Sequence, residues 1–355
     1  MLVLIPMLGL TPHGGNRVLV QIANEFVRRG HTCRILTPRP TERFPFWLDP
    51  RVEIVSVGPT LTWKPLRWLA FLLAIPGRSR AADCLVVSHF LTALPARLME
   101  RFWRHSVVYI VQDIEYRFFR RPTRWLAQAL CRWTWGARFV IPANEYLALE
   151  LQRLGAAPQP PLQLGVDPFF LEPRAMAGRP QFDVVCLLRR ERHKRSDRLL
   201  ALADLLVGRG VSVLCICQDR ELWNAHQHRF SALARPGSDA ELRDAFDSAR
   251  LLVLTSDHEG FALPPLECMA RGLPSVLFPC GGAEVYARDD HNCVIVRDES
   301  IDTAARAIIA LLADSARYAR LSQHAQETAR RYDMSVAARD FVDRCSNWAG
   351  GTLAG

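Results

Sequence analysis

Absences narrow the function of this 355-residue sequence before any motif is read. No run of roughly 18 apolar residues occurs, and the nearest stretch, Trp68 to Ile75, is far too short to cross a bilayer. No Cys-x-x-Cys pair occurs among the ten scattered cysteines, which excludes a zinc finger or a dithiol redox motif. Most of these cysteines lie in apolar runs such as Leu214-Cys215-Ile216-Cys217, so buried free thiols in a reducing compartment are expected. Gly-x-Gly-x-x-Gly is missing after the first apolar run, which argues against a dinucleotide-binding enzyme. Asp-x-Asp is missing too, the nearest pair being Asp289-Asp290, so no such metal site is offered. There is no low-complexity tract and no repeat of solenoid period. Met1-Leu2-Val3-Leu4-Ile5-Pro6 has no basic segment or small-residue cleavage site, and reads as a buried strand rather than a leader.

Positive charge is plentiful and lopsided. The net charge is +9, and residues 1–175 hold 22 Lys/Arg against 12 Asp/Glu, while the remainder is nearly balanced. A basic first half favours polyanions: anionic lipid, nucleic acid or another negatively charged surface.

The length suits two domains. In the first half, short apolar runs alternate with helical spacing. Strands are expected at Leu2–Met7, Cys33–Thr37, Val52–Val57, Cys84–Ser88, Ser106–Val111 and Arg138–Pro142, with a helix from Gly14 to Arg29. A proline-rich stretch, Ala157 to Pro161 and then Gly165 to Pro168, reads as a stiff linker. A second alternation follows, with strands at Asp183–Leu188, Ser212–Cys217, Leu251–Ser256, Ser275–Phe278 and Val294–Val296. The tail reads as two or three helices. The expected class is α/β, two Rossmann-like domains with ligands beyond the carboxyl ends of parallel strands, at the cleft such a pair makes.

The most informative segment is Glu259-Gly260-Phe261-Ala262-Leu263-Pro264-Pro265-Leu266-Glu267, which follows an apolar strand. A proline fits the first turn of the next helix, where its missing N–H costs nothing. Backbone N–H groups around Phe261, Ala262 and Leu263 would then point from a helix start, a ready phosphate site. A carboxylate at each end can accept two hydroxyls, so one could hold a hexose and the other a ribose. Five basic residues cluster with His193 in Arg189-Arg190-Glu191-Arg192-His193-Lys194-Arg195, a turn that reads either as a phosphate clamp or as a solvated loop.

The spacing and neighbours of Glu259 and Glu267 resemble the Glu-x7-Glu motif of glycosyltransferase family 4, with Ala262 where glycine is usual. The resemblance extends over most of the chain: Gly14-Gly15 is similar to the N-terminal glycine loop, Gly165-Val166-Asp167 to the linker motif, and Cys280-Gly281-Gly282 to a loop near the donor. It implies the GT-B fold, with an acceptor domain over 1–165, a donor domain over 166–330, and a tail over 331–355 returning to the first. It implies retaining transfer from a nucleotide-diphosphate sugar, which is a substrate and leaves no cofactor to be bound; with Asp-x-Asp missing and protein cations able to meet the leaving group, metal-independent transfer is expected. Glu259 would contact the sugar and Glu267 the ribose. Arg189 and Lys194 would clamp the diphosphate, with Gly14, Gly15, Phe261, Ala262, Leu263 and Arg235 also on the donor. Ser238 or Asp239, beside Arg235, equally suits a helix N-cap.

On the acceptor side, Gln112-Asp113 stands where the family often has His. Gln112 would donate from its amide, Asp113 would bind or deprotonate an acceptor hydroxyl, and His89 would line the site. The Gln-Asp pattern is similar to rhamnosyltransferases of surface polysaccharide synthesis. Expected partners are the donor and a glycan or lipid-linked acceptor, with no nucleic acid, in the cytoplasm. A non-catalytic sugar-nucleotide-binding module is the competing class. Two segments, Thr62 to Arg80 and Arg117 to Trp135, interleave aromatics with arginine. They suit an anionic membrane face and would also suit single-stranded nucleic acid, and core helix faces with solvated rims are the alternative reading.

Overall fold

In a computed structural model, the described residues are 1–349 without 12, 40–45, 60–61, 101, 103–105 and 174–179. The chain divides into two compact units, Met1–Leu164 with Met334–Gly355, and Gly165–Asp333.

In unit 1 the elements run β1 (Leu2–Pro6), α1 (Gly14–Arg28), β2 (Thr32–Thr37), β3 (Glu53–Ser56), α2 (Lys64–Ser79), β4 (Cys84–Val87), α3 (Phe90–Glu100), β5 (Ser106–Val111), α4 (Arg121–Thr134), β6 (Phe139–Pro142) and α5 (Glu145–Arg153). The six strands are parallel in the order β3-β2-β1-β4-β5-β6, with Ile5 opposite Ile35 and Val3 opposite Cys84. β4 and β6 are buried at every position, as strands covered on both faces by helices must be.

Unit 2 runs α6 (Pro168–Leu171), β7 (Phe182–Leu187), α7 (Ser196–Val207), β8 (Val213–Ile216), α8 (Arg220–His226), β9 (Ala232–Ala234), α9 (Asp239–Asp247), β10 (Ala249–Leu254), α10 (Leu263–Ala270), β11 (Ser275–Leu277), β12 (Cys293–Ile295), α11 (Ile301–Ala313) and α12 (Ser315–Arg331). Its order, β12-β11-β10-β7-β8-β9, is the same doubly wound pattern with every pair parallel. Val184, Cys186, Leu202, Val253 and Ile308 sit in its core.

The last helix, α13 (Met334–Ala349), belongs to unit 1. It packs on α1, with Phe341 edge-on to Phe26 at 6.4 Å, and Trp348 stacks on Phe139 at 4.2 Å. The proline-rich stretch is not a free linker over its first part. Gln159 and Leu162 donate backbone N–H groups to Val140 and Pro142 of β6, and Leu162 and Leu164 are buried.

Candidate active site

The parallel order reverses between β7 and β10 in unit 2, and a doubly wound sheet binds ligands at that point, beyond the strand ends. Beyond β7 the chain passes Leu188 and Arg189 into a single turn over Arg192–Lys194. Beyond β10 it passes Thr255 and Ser256 to Glu259. Two bonds sew these loops together: Asp257 N–H donates to the His193 carbonyl at 2.9 Å, and Thr255 Oγ1 donates to the Lys194 carbonyl at 3.1 Å. That seam brings Lys194 Nζ to 2.8 and 2.7 Å from the two oxygens of Glu259, a charge-assisted fork on a buried carboxylate.

Glu259 leads straight into the turn before α10. Ala262 adopts left-handed backbone, φ +61°, and Leu263 opens the helix with Pro264 and Pro265 at the next two positions. The prolines offer no N–H, so the donors at this helix start are Phe261, Ala262 and Leu263, and none has an acceptor among the described residues. Glu267 is buried one turn on, on the same side of α10 as Leu263. Phe261 packs against Tyr286 at 5.5 Å, and the Tyr286 hydroxyl donates to the Ala262 carbonyl.

The Gly281-Gly282 pair supports the Glu259 backbone. Glu259 N–H donates to the Cys280 carbonyl at 2.8 Å, and Gly282 N–H donates to the Glu259 carbonyl at 3.0 Å. A Cβ on Gly282 would meet Gly260 and Glu259 backbone atoms at 2.4–2.5 Å, so only glycine fits there.

The basic turn is sorted by its ion pairs. Arg190 binds Asp219 and Glu221, and Arg195 binds Asp197. Arg189, half-buried at the end of β7, has no acidic partner among the described residues. Arg235 is exposed just after β9, and no bond among the described residues joins it to the Lys194–Glu259 pair. Ser238 accepts the Glu241 N–H at 3.2 Å as the N-cap of α9, so of the two cap candidates it is Ser238 that serves.

In unit 1 the reversal lies between β1 and β4. Gly14 and Gly15 open α1 there. Gln112, one residue past β5, donates from Nε2 to the Gly15 carbonyl at 3.1 Å and to Ser88 Oγ at 2.6 Å. Both amide hydrogens are thereby used inside the protein, which corrects the expectation that this amide donates to a ligand; the acceptor Oε1 is what remains. A Cβ on Gly15 would stand 3.2 Å from that oxygen. Asp113 accepts the Ile114 N–H at 2.7 Å.

His89 begins the turn into α3. Its ring stacks on Phe90 at 4.9 Å, and although 41% of the side chain is exposed, desolvation on the crowded side holds its pKa below the usual imidazole range. Its Nε2 lies 4.0 Å from Glu115 Oε1. Glu115 was not singled out from the sequence. It is buried, accepts the Phe90 N–H and the Tyr109 hydroxyl at 2.9 Å each, and burial pushes its carboxyl up to about 8. A carboxylate four positions past a strand end was its sole trace in the sequence. Among the described residues, no three His, Cys, Asp or Glu side chains gather as metal ligands, and all ten cysteines are free and buried.

Two strand-order reversals of one kind, one with a glycine helix start and one with a Glu-Lys pair beside a donor-rich turn, give two Rossmann-like units, the plan of GT-B structures. Residues 13–166 match the glycosyl transferase 4-like domain family and residues 179–328 match glycosyl transferases group 1. The chain is thus a glycosyl transferase 4-like domain joined to a group 1 domain. The D-inositol 3-phosphate glycosyltransferase of Streptomyces bingchenggensis is 32% identical over 108 residues, 30% of this chain and 24% of that protein. The poly(glycerol-phosphate) alpha-glucosyltransferase of Bacillus subtilis is 31% identical over 29% of this chain and 15% of its own length. The matched segment therefore spans a quarter or less of these relatives. Over the whole chain, sucrose-phosphate synthase from Thermosynechococcus elongatus is similar in fold, with TM-score 0.83, 15% identity and 99% of both chains covered. Anabaena HepE in complex with UDP-glucose has TM-score 0.75 and 16% identity over 98% of this chain and all of that one.

Proposed function

We propose that this chain transfers a sugar from a nucleoside-diphosphate donor to a hydroxyl of a glycan, polyol-phosphate or lipid-linked acceptor, retaining anomeric configuration and using no metal. The observation that carries this is the Lys194–Glu259 pair set beside three N–H groups that have no acceptor among the described residues, at the β7–β10 reversal. Transfer builds negative charge on the departing diphosphate. Phe261, Ala262 and Leu263 N–H groups with Arg189 and Lys194 stabilise that charge as the bond breaks, the work that positioned donors do best. As Lys194 turns to phosphate, Glu259 is released to accept sugar hydroxyls, and Glu267 accepts from the ribose. Asp113 and His89 serve the acceptor hydroxyl, with Glu115 holding the start of α3 beside His89.

A neighbour of the same fold holds UDP-glucose and a relative is named a glucosyltransferase, which supports a UDP-hexose; the Gln112-Asp113 pattern supports a rhamnosyl donor. Placement in the cytoplasm completes the reading, and the ten free thiols support it. Thermal melts with UDP-glucose and with deoxythymidine-diphosphate rhamnose, in the presence of a chelator, test the donor. At a hundredfold excess over Kd the true donor stabilises by about 2.7 kcal/mol. Transfer or slow donor hydrolysis then separates an enzyme from a binding module. No stabilisation by any nucleotide sugar would sink the proposal.

A further inference from the structure

The basic aromatic segments of unit 1 bury one face of each helix and leave the other exposed. On α2, Leu66, Leu69 and Leu73 recur on one face and are exposed, Leu73 by 71%, while Phe71 and Ile75 on the opposite face are buried. On α4, Trp125 is 68% exposed, with Trp133 two turns on. α3 packs against both helices and adds exposed Leu98. Neither α2 nor α4 contains a single acidic residue, and Lys64, Arg78, Arg121, Arg124 and Arg132 stand exposed along them.

We propose that this α2–α3–α4 face seats on an anionic lipid bilayer, with the leucines and tryptophans entering the headgroup–acyl boundary and the cations on lipid phosphates. The pairing of an apolar stripe with a cationic rim, whose one acidic residue on these helices, Glu100 of α3, accepts the Arg138 N–H, is complementary to that surface. A second copy would set cations against cations. Single-stranded nucleic acid would use aromatic stacking and leave three leucines in water. Among the described residues no helix is long and apolar enough to cross a membrane, so the seat is peripheral. The inference does not rest on glycosyl transfer.

Co-sedimentation of the whole chain with vesicles of phosphatidylcholine, alone or with one part in three phosphatidylglycerol, tests it. Binding is expected to the anionic vesicles, with tryptophan fluorescence quenched by bromine-labelled acyl chains. Leu69→Glu with Leu73→Glu abolishes the quenching and lowers partitioning at least about tenfold. Arg121→Gln with Arg124→Gln lowers it about 25-fold, roughly fivefold per cation. These side chains are exposed, so melting temperatures of both variants stay at the parent value. No binding to anionic vesicles, or binding without quenching, overturns the proposal. So does tighter capture of a single-stranded oligonucleotide that vesicles fail to displace, or a dimer that the leucine variant dissociates.

Discussion

Ala262 holds a left-handed conformation that costs an L-residue about 1–2 kcal/mol, at the position whose N–H groups the proposed chemistry uses. Ala262→Gly relieves this at some cost in chain entropy, and is expected to raise stability by about 0.5–1 kcal/mol, about 1–4 °C in a melt. Lys194→Ala leaves the buried Glu259 carboxylate without its cation. Stability falls by about 1–3 kcal/mol, and under the proposed function transfer falls about 10²–10³-fold, read by donor turnover. Glu115 titrates from an ordinary 4.5 to about 8, so between those values the folded chain keeps a proton that the unfolded chain has lost. Its contribution to stability is then fully present below about pH 4.5 and is lost as pH rises through 8. Glu115→Gln keeps an acceptor for Phe90 and Tyr109, so its melting temperature matches the parent near pH 5 and exceeds it at pH 9. Of these residues, Ala262 and Lys194 were legible as motif positions, because spacing along the chain is what defines them. Glu115 was not, because its burial comes from Phe90 and Tyr109, on elements brought together only by the sheet.

Gly282 shows how one element sets another. Its backbone lies against Glu259 and Gly260, too close for any side chain, so Gly282→Ala must push the Glu259 backbone aside. A loss of about 1–3 kcal/mol is expected, with weaker binding of UDP in a titration, since Glu259 moves relative to Lys194. The sequence showed a tight turn here, and the structure gives each glycine its own reason: Gly281 takes φ +80° and Gly282 lies against Glu259 and Gly260. Strand positions were readable where short apolar runs fell between turn signals, whereas the longer run from Trp68 to Ile75 lies inside α2. β9 was missed because Ala232–Ala234 is a three-residue edge strand without a buried face. The proline-rich stretch misled in the other direction: prolines end regular structure, but they do not prevent neighbouring N–H groups from bonding to β6.

At the scale of the whole chain, β-α-β alternation was readable from composition, but strand order was not, because parallel partners are not adjacent in sequence. Nor does periodicity say which sheet a helix covers. α13 carries Phe341, Val342 and Cys345, all fully buried in unit 1. Truncation after Asp333 exposes what they cover, at about 1.5–3 kcal/mol for each large apolar side chain. Unit 1 should then lose its cooperative melting transition while unit 2 keeps its own, seen as one remaining peak by calorimetry.

The interruption of unit 1 by unit 2 has a consequence during synthesis. A ribosome adding roughly 5–20 residues per second needs about 10–40 s to pass from the end of α5 to the end of α13. For that interval the nascent first unit carries the uncovered α1 ridge, with Phe26 bare, while the second unit can already close. A holdase chaperone that favours apolar segments would find its target there, on the part of the protein made first and finished last.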